Sequence, residues 1–145
     1  MKLLVATDFS PSSKELLRVA SDLAQGLAAD IVLLHVAQAK TDLIGEHKKG
    51  SAHDGDPSCD KQEVRLMEKA TQALDERDLS ASGEIVAGPC ADVILARAEE
   101  LDADMIVVGS HGFGAVLRVL LGSVSAEILK KARCPVVVVP TSKSG

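Results

Sequence analysis

Five short apolar runs alternate with four stretches of helical period, and this alternation predicts a doubly wound α/β fold. The sheet expected is open, parallel and five-stranded, in the order 3-2-1-4-5, with helices on both faces. Composition points the same way. The chain is 46% hydrophobic, yet its aromatic residues are two, Phe9 and Phe113. A core of Val, Leu, Ile and Ala suits a parallel sheet between helix layers better than an all-β sandwich. At 145 residues, without internal repeat or low-complexity tract, the expectation is a single domain over residues 1–145.

Leu3 to Thr7 reads as the first strand, ending at Asp8. Ser10 followed by Pro11 is a helix start, because the serine oxygen can cap and proline's missing N–H costs nothing at the first position. Leu16, Ala20, Leu23, Ala24 and Leu27 mark one face of that helix, which fades near Gly26 to Ala29. Ile31 to Val36 is the second strand, and a strand-helix-strand crossover of this kind is almost always right-handed and parallel. From Ala37 to Asp60 the pattern gives way to a polar segment too long for an ordinary connection, read as one excursion rather than a domain linker. Helical period returns from about Lys61 to Arg77 through Val64, Met67, Ala70 and Leu74. Gly83 to Ala87 is a weaker third strand closed by Gly88-Pro89, and Ala91 to Leu101 is a helix burying Ile94, Leu95, Ala98 and Leu101. Met105 to Val108 is the fourth strand. A last helix runs through Ala126, Leu129 and Lys130, capped by Ser123 or Ser125, and Val136 to Val139 lies between Pro135 and Pro140 as the fifth strand.

The formal net charge of −5 argues against nucleic acid or an acidic membrane as partner, so an anionic ligand needs a local site. The chain enters directly with KLLVATD and has no apolar run long enough to span a bilayer, which leads to the expectation of a cytoplasmic protein. Cys59, Cys90 and Cys134 are odd in number and lack CxxC spacing, and are read as buried or inert thiols.

The local site is found after the fourth strand. Gly109, Gly112, Gly114 and Gly122 open a loop that leads into a helix start, where bare backbone N–H groups and a partial positive charge favour an anion. No GxxxxGK[ST] string is present, and Gly112-Phe113-Gly114 is followed by Leu117 where a dinucleotide fingerprint requires glycine. The spacing is Gly109, two residues, Gly112, nine residues, Gly122-Ser123. This stretch resembles the nucleotide loop of the ATP-binding universal stress proteins, GxxGx9G[ST]. The resemblance extends to the KLLVATDFSPSS opening with Asp8, Ser10 and Ser13 as DxSxxS, the GPCADVIL turn and the CPVVVVP close. Leu17 departs from a frequent alanine, and the 37–60 excursion is too variable in the family to carry a role across.

In a doubly wound sheet ligands settle at the carboxyl ends of the strands where the order reverses, here between the first and fourth. Asp8 lies there. It can accept hydrogen bonds from an adenine amino group or a ribose hydroxyl, or satisfy loop N–H groups near the helix start. The resemblance implies that Gly109 and Gly112 bracket the ribose and phosphates, and that Gly122, Ser123, Val124 and Ser125 hold the phosphates through N–H groups and hydroxyls. It also implies Ala6, Thr7, Asp8 and Val36 around the adenosine, Val36 mainly through its backbone, with Val108, Ser110 and His111 along the wall. His111 has the chemistry of a general acid or base, but without a carboxylate partner nearby it reads as a loop imidazole or a phosphate-side hydrogen bond. Arg118 is either a clamp over phosphates or a solvated charge. His47, His53, Asp54, Asp56 and Cys59 match neither zinc nor calcium spacing. His35 is read as a packed strand-end histidine.

The resemblance therefore implies ATP, ADP or AMP as ligand, with magnesium or manganese arriving on the phosphates. An uncovered apolar edge at Val136 to Val139 invites antiparallel pairing with a second copy, and the family implies the same homodimer. The reading favoured is an ATP-binding regulatory protein of the stress response acting on a protein partner that the sequence does not identify. Its alternatives are a weak ATP-hydrolysing enzyme, for which no activated nucleophile or lysine clamp is visible, and a nucleotide-free dimeric interaction module.

Overall fold

Leu3, Leu4, Val5 and Ala6 are all within 1% of complete burial, as expected of a strand flanked on both edges and covered on both faces. They belong to β1 (Lys2–Ala6) in a computed structural model that describes residues 1–11, 13–37, 61–110 and 123–140. The chain continues through α1 (Ser13–Leu27), β2 (Asp30–Ala37), α2 (Lys61–Asp75), β3 (Ala81–Ala87), α3 (Cys90–Leu101), β4 (Met105–Gly109), α4 (Ser123–Lys131) and β5 (Val136–Val139). The five strands form a sheet in the order β3-β2-β1-β4-β5, with every pairing parallel, as the alternation predicts.

Side-chain alternation along β1 divides the core in two. Leu3 and Val5 meet Leu16, Ala20 and Ala24 of α1 and Met67 and Leu74 of α2 on one face. Leu4 and Ala6 meet Ile94 and Ala98 of α3 and Ile128 of α4 on the other. Burying each such aliphatic side chain stabilises the fold by about 1.5–3 kcal/mol. At one edge α2 lies so close to β3 that a Cβ on Gly83 would stand 2.5 Å from the Met67 side chain. On the other face Arg97 of α3 holds Glu84 of β3 through Nε and Nη2 at 2.8 and 2.6 Å, and Glu100 through Nη1 at 2.7 Å. Those hydrogen bonds, Glu84 first, raise the guanidinium's proton affinity above its ordinary value.

Several boundaries and faces differ from the sequence expectation. The first helix begins at Ser13 rather than at Pro11, because the Ser10 carbonyl accepts the Ser13 N–H at 2.9 Å and the preceding turn is organised by Asp8. Val64 is 38% exposed and Leu27 39% exposed, since the faces of α2 and α1 that meet the sheet are narrower than their apolar pattern. In α4 the inward residues are Ser125 and Ile128, leaving Leu129 at 44% exposure. Both Ser123 and Ser125 fall inside the first turn of α4 rather than at its cap. Helix ends use left-handed residues other than glycine: Ala28, Asp78 and Asp102, the last donating its N–H to the Glu99 carbonyl.

Candidate functional site

β1 ends earlier at its carboxyl end than its neighbour β2. Its last β2 pairing is Ala6 with Leu34, followed by the Thr7 N–H to the Leu34 carbonyl at 2.9 Å, while β2 runs on to Ala37. Peptide groups alternate in direction along a strand. Because the Leu34 carbonyl faces β1, the N–H and C=O of Val36, two residues on, face the same side, where β1 has ended. A matching edge comes from β4. The Ser110 N–H bonds the Val139 carbonyl on β5 at 2.9 Å, so the N–H and C=O of Gly109 point the opposite way, toward β1. Main-chain edges of Val36 and Gly109 thus flank the end of the central strand.

The floor between them is the Thr7–Phe9 turn. Phe9 has φ 62°, a left-handed conformation that is strained for an aromatic residue, and it turns the chain away from the sheet. The turn is held by the Thr7 hydroxyl, which accepts the Phe9 N–H at 3.1 Å, and by one Asp8 oxygen, which accepts the Ser10 N–H at 2.9 Å. Ala6 and Thr7 are buried at 1% and 0% exposure, while Asp8 is partly exposed. Sequence reasoning set ligand contact against loop satisfaction for Asp8. The turn engages one carboxylate oxygen in loop satisfaction and leaves the residue partly exposed.

Cys90, the first residue of α3, lies near enough to Asp8 to feel its charge. Burial, with the Asp8 carboxylate adding to it, pushes its thiol up to about 11. The residue escaped the sequence analysis as a site member because a thiol without a partner carries no motif. Its position after Gly88-Pro89, at the carboxyl end of a strand, was the available signal. A raised thiol agrees with the reading of the cysteines as inert, and Cys134 is raised too, by burial and then Asp104.

On the β4 side, the Ser125 hydroxyl donates to the Gly109 carbonyl at 2.8 Å from a residue 2% exposed. That bond ties the start of α4 to the end of β4. It commits the Ser125 hydroxyl to the protein, so Ser125's remaining means of holding an anion is its N–H. In the first turn of α4, the N–H groups of Ser123, Val124 and Ser125 precede the first complete helical hydrogen bonds. Ser123 is exposed, Val124 half-buried, Val108 fully buried and Ser110 buried. The fold therefore brings Ala6, Thr7, Asp8, Val36, Val108, Gly109, Ser110, Ser123, Val124 and Ser125 to one end of the sheet. His111, Gly112, Phe113, Gly114, Arg118 and Gly122 lie outside the described residues, as does the 38–60 segment with His47, His53, Asp54, Asp56 and Cys59. Among the described residues no cluster of three His, Cys, Asp or Glu side chains could hold a metal ion, and no helix is long and apolar enough to cross a membrane.

Comparison with known proteins meets this geometry. The model of the universal stress protein family matches residues 1–140. Universal stress protein YxiE of Bacillus subtilis is 31% identical over 147 aligned positions, covering 95% of this chain and 97% of its own. The structure of MJ0577 of Methanocaldococcus jannaschii superposes with a TM-score of 0.74 at 25% identity, covering 99% of this chain and 97% of that one. A universal stress protein crystallised in complex with cAMP superposes with a TM-score of 0.71 at 23% identity, over 98% of both chains, a likeness of fold. Strand order and a family match over nearly the whole length lead to one assignment: this chain belongs to the universal stress protein family.

Proposed function

We propose that this protein binds an adenine nucleotide across the carboxyl ends of β1 and β4 and acts as an ATP-binding regulatory protein of the stress response. One observation carries the reading: the peptide edges of Val36 and Gly109 flank a shortened central strand whose last turn presents Asp8. The chemistry of the ligand fits the groups present. Adenine offers a donor and an acceptor on one edge, which a strand peptide's C=O and N–H can match, as Val36 provides them. Asp8 supplies an acceptor for a ribose hydroxyl or the adenine amino group. The first turn of α4 supplies N–H donors for phosphates, and the GxxGx9GS spacing from Gly109 to Ser123 extends the same role to Gly112 and Gly122. Magnesium or manganese would come with the phosphates, held by them rather than by a protein cluster. The relative solved with cAMP holds an adenine nucleotide on this fold, which supports the reading.

Regulation follows if nucleotide binds two conformations unequally, since binding free energy then shifts their balance without chemistry. The surface so altered would be that of a homodimer. Val136 and Val138 direct their peptide groups away from β4, along an edge of β5 that pairs with no strand among the described residues, where a second copy could pair. The test is analysis of the protein after purification and denaturation, together with titration of ATP, ADP and AMP up to millimolar concentration. Adenine nucleotide released on denaturation, or saturable binding that Asp8→Ala weakens, is expected. Neither release nor binding would overturn the proposal in favour of a nucleotide-free module. Phosphate release that persists unchanged in Asp8→Ala would be contamination rather than turnover.

A further inference from the structure

His35 lies one residue before Val36 on β2, is 7% exposed, and touches the turn that carries Asp8. Its Nδ1 is 3.0 Å from the Thr7 carbonyl oxygen, and its Nε2 is 3.0 Å from Glu63 Oε2 in the first turn of α2. Its ring stacks on Phe9, with centroids 4.6 Å apart and planes inclined by 37°. The left-handed Phe9 is thus braced from one side by this imidazole, and the Thr7 carbonyl is fixed by it.

Both neighbours of the ring nitrogens are acceptors. The Thr7 carbonyl can only accept, so the Nδ1 contact is a hydrogen bond when the imidazole N–H sits on that nitrogen. Among the described residues Glu63 is the carboxylate in contact with the ring. The β1 turn presents the Thr7 carbonyl and the Phe9 ring, with the Asp8 carboxylate one residue beyond, and β3 places Ile85 beside His35 in register.

We propose that His35 is a positioning residue for the nucleotide site. The inference rests on the nucleotide reading above and adds the side chain that sets its geometry. His35 holds the Thr7–Phe9 turn through the Thr7 carbonyl and the Phe9 ring, and so aims Asp8.

The test compares AMP affinity of the wild type, His35→Asn and His35→Phe at a single pH. His35→Asn, whose side-chain amide can donate to the Thr7 carbonyl, should bind better than His35→Phe, which fills the space and stacks but donates nothing. The loss in His35→Phe is expected to be about fivefold to tenfold, the equivalent of one hydrogen bond. Circular dichroism checks that each variant is folded. A His35→Phe variant that binds as tightly as the wild type, or as tightly as His35→Asn, would overturn this proposal alone. Failure of the wild type to bind would overturn the nucleotide reading and this proposal with it.

Discussion

Replacing Ser125 by alanine removes a hydroxyl that donates at 2.8 Å to the Gly109 carbonyl, both residues being buried. The substitution does not exchange a protein hydrogen bond for one to water, because the carbonyl it orphans lies at the buried end of β4. An unsatisfied buried acceptor costs about 1–3 kcal/mol. With an unfolding entropy of about 2 cal/mol/K per residue over 145 residues, each kcal/mol corresponds to about 3 °C, so Tm should fall by roughly 3–10 °C. The chain has no Trp or Tyr to report by fluorescence, so urea unfolding is followed by far-ultraviolet circular dichroism. The midpoint is expected to drop with the denaturant slope unchanged, the mark of altered stability rather than an altered unfolded state. A loss below about 0.5 kcal/mol would mean that another donor reaches Gly109, and would refute Ser125 as the tie between β4 and α4.

Three further outcomes follow from the same structure. At pH 8 a thiol raised to about 11 is thiolate in only about one molecule in a thousand, so Cys90 should alkylate far more slowly than a free cysteine and accelerate as pH approaches that value. Its folded proton affinity exceeds the unfolded one, so its contribution to stability is whole below an unfolded pKa of about 9 and declines as pH climbs toward about 11. Denaturation midpoints above and below pH 9 check the sign, and a rise in stability would contradict it. Arg97→Ala should cost about 1–3 kcal/mol in chemical denaturation, because its fork spans Glu84 and Glu100 at partial burial, and an unchanged midpoint would show the fork to be ornamental. Val138→Pro removes an N–H directed away from β4, so sedimentation at micromolar concentration should show monomer where the parent shows dimer. A parent that sediments only as monomer removes the β5 pairing.

Much of the architecture was legible because four of the five strands are short apolar runs bounded by turn residues, whereas β3, ASGEIVA, begins two residues before the Gly83 expected from its pattern. Val136 to Val139 between two prolines has one reading as a strand, and the structure keeps those bounds. Boundaries set by tertiary contacts were not legible. Pro11 suggests an earlier helix start than Ser13, but Asp8 and the Ser10 carbonyl organise the intervening turn. Apolar pattern also overstates burial where a helix meets the sheet through a narrow face, as with Val64. At the site, Asp8 and Gly109 could be placed by strand order, and Val36 by the family resemblance. The Ser125 bond to Gly109, the approach of Cys90 to Asp8, and the His35–Glu63 pair depend on contacts between segments distant in sequence, which periodicity does not encode.

The most direct test of nucleotide binding is an amide NMR titration with AMP, read residue by residue. Shifts concentrated at Asp8, Val36, Gly109 and Ser123, saturating together and absent in Asp8→Ala, are the expected result. Saturable binding whose shifts leave Val36 and Gly109 unmoved would contradict the site proposed here.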